Sequence, residues 1–400
     1  MPPLSNCLTL FAPSRIGQVF NLAAKLKSEG RTIYDLSSGE PDFDTDPAPN
    51  AAAHAAIDEG YTKYTEVDGS PDMKAAIRRK FVSDGHGEYP NVQLAVGNGA
   101  KPLIANILQA LLNPGDDVLI PGPCWTSHPG MVQVLGAKAV IVPCTADNDY
   151  KPLPDDLRAA ITPATRAIIL CSPSNPTGAV LSDQEMRAIM DVLADYPDIW
   201  IVSDEIYSDI TFDGCSPASA AVVAPELIDR IITVNGVSKG YAMTGWRIGY
   251  AAGPEDAMVG LRKLMSQVAG SPSSISQAAA IAALDGPQES VALRRDEYQS
   301  RRDSVLRALG QIEELRVSKP QGAFYVFVDC AGAMGKKTPD GKTIESSADL
   351  TTYFLEHAGV AVVPGEAFES EKSFRLSFAT SVDVLEGACD GITKSCRDLT

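Results

Sequence analysis

From about residue 70 the chain alternates short apolar runs with longer stretches whose apolar positions recur at helical spacing. Four of the apolar runs, at 167–170, 200–202, 231–234 and 248–251, are bounded by turn residues. Uninterrupted apolar runs of this length are typical of parallel strands that helices cover on both faces. We therefore predict an α/β domain whose mostly parallel sheet, flanked by helices, contains all four runs as parallel strands.

Local signals also predict where several helices begin. Ser70 precedes Pro71, which suits the first helical position, and Ser182 forms a capping box with Glu185 three residues later. A further helix is predicted over 101–112, shortly after the apolar strand 94–96. These helices supply the layers that a parallel sheet needs on its faces.

The alternation of short apolar strands with helices stops after about residue 285. A long charged helix is predicted to begin at about 288 and to end at about 310. Strand-like and helix-like stretches follow it at 323–328, 347–358, 360–363, 373–378 and 383–395. This mixture predicts a smaller α+β domain. We expect three parts: an N-terminal arm over 1–16, a small domain formed by 17–45 and 286–400, and a large domain over 46–285.

Composition narrows the classes of function. The formal net charge is −17, whereas nucleic acids and anionic membranes attract basic surfaces, so we expect neither as a partner. An acidic protein can still hold a local cationic pocket for a small anion. The chain has no signal-peptide pattern, no apolar run of membrane-spanning length, and eight cysteines without a Cys-x-x-Cys pair. We therefore expect a cytoplasmic protein with reduced thiols and no metal site.

Polar residues follow several predicted strands, at the sheet edge where ligands of doubly wound proteins gather. The segment 97–101 opens a helix, so its backbone N–H groups suit a phosphate, although a plain strand-to-helix turn has the same pattern. Asp204 ends a strand, where it either caps a helix or pairs with a protonated ring nitrogen. The loop 172–178 fixes Asn175, either for rigidity alone or to place its amide.

Lys239 lies in a stretch almost without other charges, after the predicted strand 231–234. A lone lysine is usually a solvated surface charge. A desolvated amine has a lowered pKa instead and becomes a nucleophile toward aldehydes. Arg247 follows eight residues later, just before the next predicted strand. The residues alone leave both interpretations of Lys239 open.

Five segments carry a resemblance to a known family. The stretch 236–249, Gly-Val-Ser-Lys-Gly-Tyr-Ala-Met-Thr-Gly-Trp-Arg-Ile-Gly, matches the lysine signature of class I aminotransferases at every position. Four further segments resemble other motifs of that family in the right order, at 38–43, 175–178, 204–207 and 374–377. The likeness covers about residues 10–395. The chain thus resembles class I pyridoxal-phosphate-dependent aminotransferases, and within them the bacterial aspartate aminotransferases often called type Ib.

This resemblance implies a fold, a cofactor and a reaction. The fold would be the pyridoxal-phosphate transferase fold type I, with a large α/β domain and a smaller α+β domain. The cofactor would be pyridoxal 5′-phosphate, held by Lys239 as an aldimine. The reaction would move an amino group between an L-amino acid and a 2-oxo acid, with aspartate and 2-oxoglutarate as the default pair. Sites at a subunit boundary would make the protein a homodimer.

The resemblance also assigns residue roles, with Lys239 as the catalytic residue that moves the substrate proton. The implied cofactor-binding residues are Gly99, Ala100, Trp125, Asn175, Asp204, Tyr207, Lys239, Arg247 and, reaching across from a second copy, Tyr64. The implied substrate-binding residues are Gly39, Lys101, Trp125, Asn175 and Arg375. Arg375 would grip the α-carboxylate through paired hydrogen bonds, and Lys101 would favour an acidic side chain.

Three segments depart from the family pattern, at 14–16, 124–128 and 268–271. The changes remove hydroxyl groups and add Arg15 and His128 near the expected substrate entrance. Arg15 could bind a distal carboxylate. His128 either contacts the substrate or is a surface or core residue, which is the commoner case for a lone histidine.

The pocket changes keep other functions open. One alternative is an aminotransferase for an aromatic, neutral or unusual amino acid. Another is a lyase, decarboxylase or racemase, since these enzymes use the same linkage between lysine and cofactor. A non-enzymatic regulator of this fold would need a DNA-binding extension before the arm, which we do not expect in this protein.

Overall fold

The computed structural model describes residues 4–11 and 15–400. The strands are β1 (Tyr34–Asp35), β2 (Leu94–Gly97), β3 (Asp117–Gly122), β4 (Lys138–Pro143), β5 (Thr165–Cys171), β6 (Trp200–Asp204), β7 (Ile231–Gly236), β8 (Gly249–Ala252), β9 (Arg316–Val317), β10 (Tyr325–Asp329), β11 (Val360–Ala361), β12 (Val363–Pro364) and β13 (Ser373–Ser377). The α-helices are α1 (Arg15–Ser28), α2 (Pro47–Asp58), α3 (Pro71–Ser83), α4 (Ala100–Leu111), α5 (Ser127–Val134), α6 (Pro154–Ala160), α7 (Asp183–Ala194), α8 (Ala220–Val223), α9 (Glu255–Val268), α10 (Ser274–Asp285), α11 (Glu289–Leu309), α12 (Ser347–Ala358) and α13 (Val382–Arg397).

The largest sheet has seven strands in the order β2-β8-β7-β6-β5-β3-β4. The five strands from β7 to β4 pair in parallel, which confirms a mostly parallel sheet. The prediction of a parallel strand at 248–251 is wrong, because β8 runs antiparallel to both β7 and β2. A parallel return needs a crossover, usually a helix packed on the sheet. The segment 237–248 makes only one 3-10 turn, Thr244–Trp246, and leads straight back.

The central strands are covered on both faces, which explains their uninterrupted apolar runs. Ile168 of β5 and Ile201 of β6 lie in one core cluster with side chains of α7. Their neighbours Ile169 and Val202 point the other way and lie in a second cluster with side chains of α4 and α9. Successive strand residues alternate between the faces, so both sets must be apolar.

The C-terminal third forms a smaller antiparallel sheet in the order β12-β13-β10-β9. Its core joins aromatic and aliphatic side chains of β10, β13 and helices α11 to α13, among them Tyr298, Phe354 and Leu385. The apolar run 360–363 is split between two sheets, since β11 pairs with β1 whereas β12 pairs with β13. The pairing of β1 with β11 ties the chain before the large sheet to this part, although the domain limits at residues 45 and 286 stay a prediction.

The predicted helix starts are present with their hydrogen bonds. The Ser70 side chain accepts from the Met73 N–H, and Ser182 with Glu185 forms a complete capping box at the start of α7. No helix in the described part of the chain is long and apolar enough to cross a membrane. Residues 4–11 and 15–400 also contain no group of three or more His, Cys, Asp or Glu side chains that could hold a metal ion.

Candidate active site

A cavity of about 400 Å³ opens at the carboxyl ends of β5, β6 and β7 and reaches across to the smaller sheet. Ten of the predicted site residues line it: Gly39, Ala100, Lys101, Trp125, Asn175, Asp204, Tyr207, Lys239, Arg247 and Arg375. Parallel strands end at the same sheet edge, so residues far apart in sequence meet there. Asp204 of β6, for example, lies in register with Cys171 of β5 and Val234 of β7.

Lys239 follows β7, and its amine points into the cavity. Its Nζ donates a hydrogen bond of 2.6 Å to the Gly39 carbonyl and lies 5.9 Å from the centre of the Tyr207 ring. Burial lowers the pKa of Lys239 to about 8; Glu40 opposes this shift, and Arg375 adds to it. An amine with this pKa is partly neutral near neutral pH, which makes it a competent nucleophile and base.

Asp204 is a buried carboxylate, and each of its two oxygens has a polar contact with a neighbouring group. Its Oδ1 accepts from the Ile206 N–H at 3.3 Å, and its Oδ2 lies 3.3 Å from His128 Nε2. His128 is only 1% exposed and packs edge-on against Trp125. Of the two interpretations of His128, the structure favours the core residue, because its ring nitrogen faces Asp204. The Arg15 side chain lies outside the described residues.

Arg375 of β13 is a buried cation that makes no salt bridge with any described residue. Its Nη1 donates to Asn175 Oδ1 at 3.1 Å and its Nη2 to the Ser37 carbonyl at 2.8 Å. The guanidinium lies between two rings, with its carbon 4.4 Å from the centre of Tyr325 and 5.0 Å from that of Phe368. Its Nε has no partner among residues 4–11 and 15–400. A buried charge is costly without a counter-ion, so the remaining donors are available for an anionic ligand.

A second anion site lies at the start of α4. Gly99 has φ +95°, and a Cβ there would lie 2.4 Å from Arg247 Nη2. A Cβ on Gly249 would likewise lie 2.3 Å from the Ala100 nitrogen. Because Gly99 and Gly249 have no side chains, the Arg247 guanidinium and the free N–H groups at the start of α4 can lie close together. This combination of cation and helix N-terminus suits a phosphate.

Lys101 supplies a third cation at the outer end of the cavity, where its Nζ lies 5.4 Å from the Trp125 ring centre. Burial, and then the charge of Arg247, lower the pKa of Lys101. A second, more open cavity of about 710 Å³ shares Lys101 and Trp125 with the first and extends along α4 and α5. The outer end thus has room for side chains of different length.

Two predicted residues are absent from the cavity wall. Gly99 lies behind Arg247, as its close approach to the guanidinium indicates. Tyr64 is 98% exposed, on the segment between α2 and α3. The contact of Tyr64 with a site in a second copy of the chain therefore stays a prediction.

Tyr325, which no sequence motif indicated, is fully buried and lines the cavity. Its hydroxyl oxygen lies 2.9 Å from that of Tyr207. The sequence around Tyr325 is an ordinary apolar strand, and only the pairing of β10 with β13 brings it beside Arg375. The signal that reveals this residue is therefore a long-range contact.

Comparisons with known proteins agree with this geometry. The family model "Aminotransferase class I and II" matches residues 31–392. The aspartate/prephenate aminotransferase of Cereibacter sphaeroides is 44% identical, with 99% of both chains covered. The crystal structure of the Rhizobium meliloti aspartate aminotransferase superposes with a TM-score of 0.97 at 43% identity, covering 100% of both chains. That of the Thermus thermophilus aspartate aminotransferase with maleate gives 0.91 at 36% identity, covering 99% of this chain and 100% of that one.

Proposed function

The chain belongs to the class I and II aminotransferases, and from this premise we propose that it transfers the amino group of L-aspartate to 2-oxoglutarate with pyridoxal 5′-phosphate as cofactor. One observation carries the choice of substrate: the cavity has a cation at each of three places. Arg247 suits the cofactor phosphate, Arg375 the α-carboxylate and Lys101 a second carboxylate at the outer end. A dicarboxylic amino acid matches this set of charges, whereas a neutral one leaves Lys101 without a partner.

The residues fit the cofactor in three respects. The cradle formed by Gly99, Ala100 and Arg247 takes the phosphate, and added Cβ atoms would fill it. The Asp204 carboxylate is buried and oriented, so it suits a protonated ring nitrogen. Trp125 offers an aromatic face beside these groups.

We assign the reaction steps to residues of this chain. When bound, pyridoxal 5′-phosphate supplies an electron sink that stabilises negative charge at the substrate Cα. Arg375 holds the α-carboxylate with paired hydrogen bonds, while Asn175 fixes one edge of the guanidinium. Anchoring the substrate at both ends presents its Cα–H to the Lys239 amine. This amine takes the proton from Cα as general base and would return it to the cofactor carbon that is bonded to the substrate nitrogen.

A half-reaction tests this proposal. The purified protein is loaded with pyridoxal 5′-phosphate and mixed with L-aspartate in the absence of any oxo acid. We expect the visible cofactor band to be lost while one oxaloacetate forms per site. Lys239→Ala should abolish this conversion by removing the base. A band that aspartate leaves unchanged would contradict the substrate, and no band in the wild-type protein would contradict the proposal as a whole.

The adjoining cavity favours a second candidate substrate, the larger dicarboxylate prephenate. It extends from Lys101 and Trp125 along α4 and α5. The Cereibacter sphaeroides relative is named for both substrates. Amino transfer from aspartate to prephenate, compared with transfer to 2-oxoglutarate, would distinguish a dual enzyme from a strict aspartate enzyme.

We also propose a cytoplasmic homodimer whose two-domain subunits follow the limits given above. The family resemblance implies a homodimer, and the Tyr64 side chain, which is 98% exposed, is accessible for contact with a second copy. In a dimer, Tyr64 would contact the cofactor phosphate of the second copy. Sedimentation of the wild-type protein gives the oligomeric state. Tyr64→Ala should weaken cofactor binding without changing the fold.

A further inference from the structure

The hydroxyl groups of Tyr207 and Tyr325 form an isolated pair inside the cavity wall. Their oxygens lie 2.9 Å apart, and either group could be the donor. In the described part of the chain, each hydroxyl has the other as its only hydrogen-bond partner. Burial raises the pKa of both tyrosines, so each keeps its single hydrogen. One hydrogen therefore lies between the two oxygens, and the other points elsewhere.

Tyr325 lies beside a cation and beside the backbone of the segment around Gly39. The Arg375 guanidinium carbon lies 4.4 Å from its ring centre. On another side, a Cβ added to Gly39 would lie 3.2 Å from the hydroxyl oxygen. The ring therefore contacts a cation, and the hydroxyl oxygen lies between the Gly39 backbone and the Tyr207 hydroxyl.

The direction of the bond matters for the proposed chemistry. The family resemblance implies that Tyr207 donates a hydrogen bond to the phenolic oxygen of the cofactor. Tyr207 can do so only if its hydrogen is not already donated to Tyr325. That condition holds when Tyr325 donates and Tyr207 accepts. Accepting a hydrogen bond also polarises a hydroxyl and makes it a stronger donor. The Arg375 charge over the Tyr325 ring favours the same direction, because it stabilises negative charge on that hydroxyl oxygen and so makes Tyr325 the stronger donor.

Resting on the proposed function, we propose that Tyr325 is a positioning residue: its hydroxyl donates to Tyr207 and so directs the Tyr207 hydrogen to the phenolic oxygen of the cofactor. Tyr325 acts through Tyr207 and needs no contact with the cofactor. Losing the Tyr325 hydroxyl weakens the Tyr207 bond without removing it.

A pH titration of the cofactor absorbance in the loaded enzyme measures this effect. The deprotonated form of the bound cofactor carries more negative charge on its phenolic oxygen, so weaker donation raises the titration midpoint. We expect Tyr325→Phe to raise it by roughly 0.5 to 1 pH unit and Tyr207→Phe by roughly 1 to 2. The double variant should match Tyr207→Phe alone, because Tyr325 has nothing left to act on.

A matched control is Tyr298→Phe, which removes another buried tyrosine hydroxyl, one without a hydrogen-bond partner among the described residues. It should leave the midpoint unchanged. An unshifted midpoint in Tyr325→Phe, or an equal shift when Tyr207 is already phenylalanine, would overturn the inference and leave the proposed function intact. A wild-type protein that shows no titrating cofactor band overturns both.

Discussion

The charge on Lys239 should destabilise the protein when the cofactor is absent. Burial lowers the pKa of this amine from 10.5 to about 8, so the folded chain binds its proton less tightly than the unfolded chain. Because the pKa is lowered on folding, the neutral amine favours the folded state. This contribution to the free energy of unfolding is fully present above the unfolded pKa of 10.5 and is lost as the pH falls to about 8. Below about 8, the folded protein carries the full cost of a desolvated charge.

The size of this cost follows from the shift. A difference of 2.5 between 10.5 and 8, at about 1.4 kcal/mol per unit, gives roughly 3 kcal/mol as an upper limit. The side chain is only half-buried and faces an open cavity, so screening by solvent reduces this to about 2 kcal/mol. Lys239→Met removes the charge and its desolvation cost. It also removes the hydrogen bond to the Gly39 carbonyl, and this loss offsets about 1 kcal/mol of the gain in stability.

Thermal unfolding of the cofactor-free proteins at fixed concentration tests this. At pH 7.5 the Lys239→Met variant should be more stable than wild type by roughly 1 kcal/mol, or about 1 °C for a chain of 400 residues. The advantage should fall by about 2 kcal/mol between pH 8 and 10.5, and so reverse in sign. Gln267→Met, which places the same side chain at an exposed position and removes no titratable group, serves as the control. A stability difference for Lys239→Met that is as flat with pH as that of this control would refute the argument.

Three further predictions concern ligand binding. Arg375→Lys should lower kcat/KM for aspartate by roughly 10- to 100-fold, since lysine cannot make paired hydrogen bonds; unchanged steady-state kinetics would move the carboxylate anchor elsewhere. Gly99→Ala should weaken binding of pyridoxal 5′-phosphate at least about tenfold, because its Cβ would lie 2.4 Å from Arg247 Nη2. Gly130→Ala, where no atom lies within 4 Å of the added Cβ, should bind like wild type in the same fluorescence titration. Lys101→Met should lower kcat/KM for aspartate by about tenfold while sparing alanine; equal losses for both would contradict its side-chain role.

Local sequence predicted most of the elements because their signals are local. The capping box at Ser182 and the apolar run of β6 depend on neighbouring residues, and both are present. The orientation of β8 depends on the path of the chain between two strands, which periodicity does not contain. The splitting of 360–363 has the same origin, since it depends on which distant strand each half meets.

The residues of the candidate site likewise differ in whether local sequence or long-range contacts reveal them. Motifs identified the residues around Lys239, and the structure brings ten of them to one cavity, while their roles stay predictions. His128 could not be assigned from sequence, because its contact with Asp204 joins residues 76 positions apart. Tyr325 was missed because its position beside Arg375 requires the register of β10 against β13.

The two ends of the cavity differ in how tightly their residues depend on one another. Arg375 contacts both Asn175 and Tyr325 directly, so substitutions among these three residues should have strongly non-additive effects. At the outer end Lys101 and Trp125 contact each other, whereas the open cavity beside them leaves space for new side chains along α4 and α5. Mutations of well-separated residues along these two helices should combine additively. Substrate preference can therefore diverge by independent single steps while the catalytic end stays unchanged, and libraries aimed at new substrates are best confined to that outer wall.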